Sequence, residues 1–361
     1  MTAELAPSYA VARQRLLSVA ERAGARLQSF GHPGQRGPDG GELAIDVVEL
    51  GDPDAGAALL IVSGTHGVEG FAGSALQTGF LEGGRAGALP AGVRLVMVHA
   101  FNPFGFAWSR RTNEDNVDLN RNFIDWSAAP AENPGYDDLA ELLVPETWDE
   151  ESKAASTLAL LEVAERIGVE EMGRIITGGQ YRHPGGVFYG GTGPVWSHRW
   201  LLDNAPSLLG SASRLGIVDL HTGLGPWGTG ELIVHERRSE PGFGRAQRWW
   251  GDVRSMQDGE SVSAELTGDW LSMIARLVPD TEVTGAALEF GTIDPIEVLQ
   301  ALRAEAWCHR AGDPRSALAD RVRADVRSAF ADDGPSWLAA LTERFDAVVA
   351  AALTNLSRDS E

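Results

Sequence analysis

The chain has 361 residues, of which 43% are hydrophobic and 22% charged, so it can bury a full hydrophobic core. Its formal net charge of -21 disfavours nucleic acid and anionic membranes as partners. Cys308 is the only cysteine, which excludes an intrachain disulfide and leaves nitrogen and oxygen atoms to hold any metal. No basic-then-apolar leader and no apolar run of roughly 20 residues is found, so we expect a cytoplasmic protein.

The elements predicted along the chain alternate between helices and strands. A first surface helix is predicted at residues 8–28 from apolar positions at helical spacing. Short apolar runs, typical of strands covered on both faces, follow at 57–63, 93–99, 216–220, 231–235 and 286–290. Helical patterns lie near 70–82, 150–167, 197–210, 269–277, 295–312, 315–331 and 335–356. This alternation predicts an α/β fold with a mixed, mostly parallel twisted sheet and helices on both faces.

The segment at about 126–200 interrupts the alternation with proline, glycine, tryptophan and other aromatic residues. Long irregular segments of this kind either serve function or decorate the surface. We expect this one to form a wall of the substrate site. The predicted organisation is therefore one catalytic domain over residues 1–361 that carries an insertion at about 126–200.

Several side chains suited to catalysis fall at the ends of predicted strands. His66 and Glu69 lie three residues apart in Gly-Thr-His-Gly-Val-Glu-Gly, and His221 and Glu289 follow later strands. Ligands of α/β sheets bind at the carboxyl ends of strands. A catalytic zinc typically takes two closely spaced ligands and a third from far along the chain, and leaves a position open for water. Taken alone, a His-x-x-Glu pair is more often structural than metal-binding.

A second block of polar residues lies at 102–123, between the strand predicted at 93–99 and the insertion. It contains Asn-Pro-Phe-Gly-Phe at 102–106, then Arg111 nine residues before Asn120, within Val-Asp-Leu-Asn-Arg-Asn-Phe at 117–123. With the His-x-x-Glu pair, this block resembles the zinc carboxypeptidases over about residues 57–125 and 214–295. The phrases Asp-Leu-His-Thr-Gly and Gly-Gly-Gln-Tyr resemble a branch near the aspartoacylase and succinylglutamate desuccinylase deacylases.

The resemblance implies a role for each matching residue. One zinc ion would be bound by His66, Glu69 and His221, with Glu289 as the general base. Arg111 would steady the oxyanion of the transition state. The substrate's terminal carboxylate would be gripped by Asn120 and Arg121.

Neighbouring residues are assigned supporting or structural parts. Asp118 and Asp219 are available to orient the ligand imidazoles, whereas Arg110 is interpreted as a surface charge. The carboxypeptidases usually have a tyrosine between the last histidine and the base, which this chain lacks. If a phenol contacts the substrate, Tyr181 or Tyr189 of the insertion must provide it.

The sequence therefore predicts a zinc hydrolase that cleaves an amide bond next to a free carboxylate, such as a carboxypeptidase of small peptides. The alternative within hydrolysis is deacylation of an N-acyl amino acid. A third alternative, a catalytically silent carboxylate-binding protein, has no need of a general base beside a metal. The nitrogen and oxygen ligands favour zinc, and a similar divalent ion is the alternative. The sequence does not indicate the oligomeric state.

Overall fold

The computed structural model describes residues 4–209, 212–263 and 266–358. Its strands are β1 (Arg26–Arg36), β2 (Glu42–Leu50), β3 (Ala57–Ser63), β4 (Val93–His99), β5 (Arg214–Trp227), β6 (Gly230–Val234), β7 (Arg254–Ser255) and β8 (Glu282–Gly291). In this described part of the chain they form one eight-stranded sheet in the order β1-β2-β4-β3-β5-β8-β6-β7. The central strands β4, β3, β5 and β8 are parallel, whereas β2 and β6 join them antiparallel. The predicted mixed, mostly parallel sheet is confirmed.

Helices pack on both faces of this sheet. They are α1 (Tyr9–Arg22), α2 (Gly70–Glu82), α3 (Pro103–Ala107), α4 (Leu119–Asn122), α5 (Pro134–Leu143), α6 (Glu150–Ile167), α7 (Val169–Thr177), α8 (Trp196–Leu209), α9 (Pro241–Trp250), α10 (Trp270–Leu277), α11 (Pro295–Ala311), α12 (Ala317–Phe330) and α13 (Pro335–Leu356). Alternate side chains of β3 enter two apolar clusters, Leu59 and Ile61 beside α2 and α13, and Leu60 and Val62 beside α8 and α10. Both faces are therefore buried, which explains the continuous apolar runs in the sequence.

Several predicted elements have the bounds that the structure shows, although the strand β2, buried along most of its length, was not predicted. β3, β4, α2, α6 and α13 have the predicted bounds. The first helix is wrong at its end, since α1 stops at Arg22 and residues 26–36 form the edge strand β1. Because β1 is largely exposed, it lacks the apolar alternation that would reveal a strand. The helix predicted at 197–210 is α8, and residue 210 lies outside the described residues.

The insertion is more regular than its sequence indicates. It contains α5, α6 and α7 and the start of α8, of which only α6 and α8 were predicted. Gly168, with φ of 90°, separates α6 from α7, and Ile176 is the buried side chain of α7. So small an apolar face gives little periodic signal. Among the described residues, no helix is long and apolar enough to cross a membrane.

Candidate active site

The first part of the site is the tight turn after β3, which carries His66 and Glu69. A Cβ atom on Gly67 would lie 2.1 Å from the carbonyl carbon of Gly105, so only glycine fits this approach of two backbones. The Gly67 N–H donates to the carbonyl oxygen of Arg111 at 3.1 Å. The turn is therefore fixed against the loop that carries the predicted oxyanion donor.

His66, Glu69 and His221 come together into one compact group. The Nδ1 atoms of the two histidines lie 3.2 Å apart. The Glu69 carboxylate lies between them, 2.9 Å from His66 Nδ1 and 2.8 Å from His221 Nδ1. All three side chains are buried, and their ligand atoms lie within 4.8 Å of one another. This group could hold a metal ion, and two histidines with one glutamate are a known ligand set for catalytic zinc.

The opposite nitrogen of each imidazole faces an aspartate. His66 Nε2 lies 3.2 Å from Asp118 Oδ1, and His221 Nε2 lies 2.7 Å from Asp219 Oδ2. The indole N–H of Trp270 also donates to Asp219 Oδ2, at 2.7 Å. At His221, a carboxylate at Nε2 favours the tautomer that keeps Nδ1 free to bind a metal. Asp219 therefore lies where it can orient the His221 ring, and Asp118 contacts both His66 and Arg111.

Glu289 lies beside this group because β5 and β8 pair in parallel with His221 opposite Glu289. Burial, and then the nearby Glu69 carboxylate, raise the pKa of Glu289 to about 8. The pKa of Glu69 moves the other way, since the imidazoles of His66 and His221 outweigh burial and hold it below its usual range. Two carboxyl groups whose pKa values are driven apart suit different parts in one reaction. The surroundings therefore favour the charged form of Glu69 and the neutral form of Glu289.

Arg111 packs against the same group, with 14% of its side chain exposed. Its Nε donates to Asp118 Oδ2 at 3.0 Å and its Nη1 to Glu69 Oε1 at 3.3 Å. Its Nη2 lies 2.8 Å from His66 Nε2. Burial opposes its charge, but Asp118 and Glu69 hold the pKa of the Arg111 guanidinium above its usual value. Arg111 therefore supplies a positive charge next to the candidate metal ligands His66 and Glu69.

Asn120 and Arg121 are adjacent residues of α4. Arg121 donates through Nη1 to the carbonyl oxygen of Asn120 at 2.9 Å, and through Nε to that of Thr177 at 3.1 Å. The side-chain oxygen of Asn120 accepts from the backbone N–H of Trp270 at 3.4 Å. Both side chains line the same cavity as His66. The structure thus brings together the predicted ligands, base, oxyanion donor and carboxylate grip.

The cavity that contains these groups has a volume of about 480 Å³. His66, His221 and Glu289 line it, and so do the apolar side chains of Ile233, Met256, Leu271, Val298, Leu302 and Phe330. The insertion contributes Glu170, Gly173, Arg174, Thr177 and Phe188 to the lining. That the insertion forms a wall of a substrate site stays a prediction.

A model of the family described as "Protein of unknown function (DUF2817)" matches residues 5–344 of the chain. The chain belongs to this family. No curated protein sequence matches it.

Solved structures similar to this member of the family have low sequence identity to it. They include carboxypeptidase A from Helicoverpa armigera, with a TM-score of 0.49 and 11% identity over 91% of this chain and 75% of that chain. Bovine thrombin-activatable fibrinolysis inhibitor in complex with tick carboxypeptidase inhibitor has a TM-score of 0.45 and 13% identity over 89% and 95%. An aspartoacylase family protein from Mesorhizobium loti has a TM-score of 0.36 and 16% identity over 78% and 67%. Both kinds of protein named in the sequence resemblance are thus among the structures to which the chain is similar.

Three residues lie elsewhere than the sequence indicated. The Tyr181 hydroxyl donates to the backbone oxygen of Arg121 at 2.7 Å, and its ring lines a different cavity. Tyr189 lines another cavity again. The structure does not bring either phenol to the cavity of His66. Arg110 is not a surface charge, since it is buried in contact with Glu305 on α11.

Two residues near the site were assigned no function from the sequence. Trp270 is one of them, and its indole N–H donates to Asp219 Oδ2. Phe188 lies in the Gly-Gly-Val-Phe-Tyr-Gly-Gly stretch of the insertion, next to Tyr189. A glycine-rich stretch with aromatic residues indicates that the chain packs closely there. The sequence does not show which of the two adjacent rings faces the cavity, because successive side chains point in different directions.

Proposed function

We propose that the protein is a zinc-dependent hydrolase that cleaves an amide bond next to a free carboxylate. The observation that carries this proposal is the buried group of His66, Glu69 and His221, whose two histidines line the same cavity as Glu289. A buried cluster of this composition fits a divalent cation, and nitrogen and oxygen donors in this combination suit zinc. A binding protein would have no use for a proton carrier at this position.

Each part of the reaction can be given to a residue of the cavity. When bound, zinc would act as a Lewis acid and would bring the pKa of water toward ~7. Glu289 would take the proton from the attacking water at its carboxylate oxygen and deliver it to the leaving nitrogen. Arg111 would donate N–H groups to the oxygen on which negative charge develops, a contribution commonly of about 10²-fold or more in rate.

Arg121 and Asn120 would bind the free carboxylate of the substrate. Both line the same cavity as Arg111, Glu289 and the two histidines, so a carboxylate bound by them would share that cavity with the proposed general base. In a protein of net charge -21, an anionic substrate needs such a local group of cations. The apolar side chains of the cavity would contact the substrate's uncharged parts.

The test is hydrolysis by zinc-loaded protein of dipeptides and N-acyl amino acids, each paired with its C-terminal amide and followed by mass spectrometry. We expect the free acids to be cleaved about 10²-fold or more faster than the amides, because a carboxylate accepts charge-assisted hydrogen bonds from the Arg121 guanidinium that a neutral amide cannot match. The preferred acyl half would separate a peptidase from a deacylase.

The matched variant for this test is Arg121→Lys, which keeps the positive charge and removes the planar guanidinium with its paired N–H donors. In that variant the preference for free acids should shrink while cleavage of the amides is unchanged. Equal cleavage of acids and amides by the native protein would contradict the assignment of the carboxylate grip. Absence of cleavage of every compound would contradict the proposed hydrolysis.

A further inference from the structure

Phe188 has an unusual backbone conformation at the wall of the candidate site. Its φ angle is 54°, in the left-handed region that residues with a side chain seldom adopt. Such conformations persist only where the surroundings impose them, and they cluster at functional sites. The chain on each side is indeed fixed, because the Tyr136 hydroxyl donates to the Val187 oxygen and the Asp118 N–H to the Tyr189 oxygen, both at 2.8 Å.

The consequence of this conformation is the position of the aromatic ring. The guanidinium carbon of Arg111 lies over the ring at 5.3 Å from its centroid, and that of Arg121 at 5.5 Å. Both distances are within the range in which a cation is attracted to an aromatic face. Phe188 is buried and lines the cavity with His66. One ring thus contacts both of the arginines that are proposed to bind the substrate.

Both guanidiniums already use part of their N–H donors, Arg111 with Asp118 and Glu69 and Arg121 with backbone carbonyl oxygens, so any further partner should leave the remaining donors available. Burial and the charge of Arg111 together lower the pKa of Arg121, although Asp118 acts in the opposite direction. Another carboxylate would relieve this repulsion, but it would occupy the N–H groups that a substrate must use. An aromatic face attracts a guanidinium without accepting its in-plane N–H bonds.

We propose that Phe188 is a positioning residue that holds Arg111 and Arg121 as a pair, so that both guanidiniums present N–H donors to an anionic substrate. The proposal rests on the proposed function for its substrate readout. Its structural readout, the placement of the two guanidiniums, is independent of any substrate. The left-handed backbone at Phe188 serves to bring the ring under both groups.

The discriminating variants are Phe188→Leu and Phe188→Tyr. Leucine is apolar and carries a Cβ atom as phenylalanine does, so the positive φ angle at residue 188 is equally unfavourable for both residues. The variant therefore removes only the aromatic face. Tyrosine keeps the ring. We expect kcat/KM for free-acid substrates to fall about ten-fold or more in the leucine variant and to stay within about three-fold in the tyrosine variant. Cleavage of the amide-capped partners should change less than that of the acids in the leucine variant.

Crystal structures of the native protein and the leucine variant give the second readout. Displacement or loss of order of the Arg111 or Arg121 guanidinium in the leucine variant supports the proposal. Unchanged positions of both groups would overturn it and would reduce Phe188 to a packing residue. If the native protein hydrolyses nothing, the proposed function fails, while this structural comparison still decides the part played by Phe188.

Discussion

The Glu289→Gln protein is expected to retain its metal and to lose turnover by about 10²- to 10⁴-fold, the range that a positioned general acid–base contributes. Glu289 is placed to carry a proton, since burial and the Glu69 carboxylate raise its pKa to about 8 in the metal-free protein. Glutamine has the same shape and can still accept the backbone N–H of Leu224, which now bonds Glu289 at 3.0 Å. It cannot accept a proton from water.

Two measurements on the same preparation separate chemistry from folding in this variant. Metal content, determined by elemental analysis, should equal that of the native protein, because Glu289 does not belong to the candidate ligand group. The rate of substrate cleavage should fall while the thermal midpoint stays close to the native value. Native turnover in the glutamine protein would remove Glu289 from the reaction.

Replacement of His66 or His221 by alanine is expected to abolish tight metal binding. Each change leaves two of the three candidate ligands in place, and their three ligand atoms now lie within 4.8 Å of one another. Binding of a metal to the native state raises stability by RT ln(1 + [L]/Kd), about 4 kcal/mol at a thousand times the dissociation constant. Zinc should therefore raise the thermal midpoint of the native protein and leave that of each variant nearly unchanged.

The matched control is His183→Ala. His183 lies 2.6 Å from Asp137 in the insertion and does not line the cavity of the candidate metal group. This variant also loses a histidine bonded to an aspartate, yet it should bind metal as the native protein does. Full metal occupancy in the His66→Ala protein would show that the ligand assignment is wrong.

The parts of the fold that were predictable are those in which one local pattern reports burial. β3 and β4 are covered on both faces, so their continuous apolar runs gave the bounds that the structure has. The site residues were found because they follow such runs and belong to a specific string of neighbours. Two of them differ in detail, since His221 and Glu289 lie within β5 and β8 and not beyond their ends.

The two misjudged side chains, Arg110 and Phe188, depend on features that no local pattern reports. Arg110 looks like a surface charge beside Arg111, but α11 brings Glu305 against it from 195 residues away along the chain. Phe188 and Tyr189 are adjacent aromatic residues, and the ring that faces the cavity is set by a left-handed backbone at Phe188. Neither a distant partner nor a single φ angle leaves a periodic trace in the sequence.

The measurement that tests the central claim most directly is substrate turnover before and after removal of metal from the native protein. We expect treatment with a chelator to abolish cleavage of the free-acid substrates, and zinc to restore it fully at one equivalent per chain, because the described residues provide one group of three ligands. Turnover that survives complete removal of metal, verified by elemental analysis, would contradict the account.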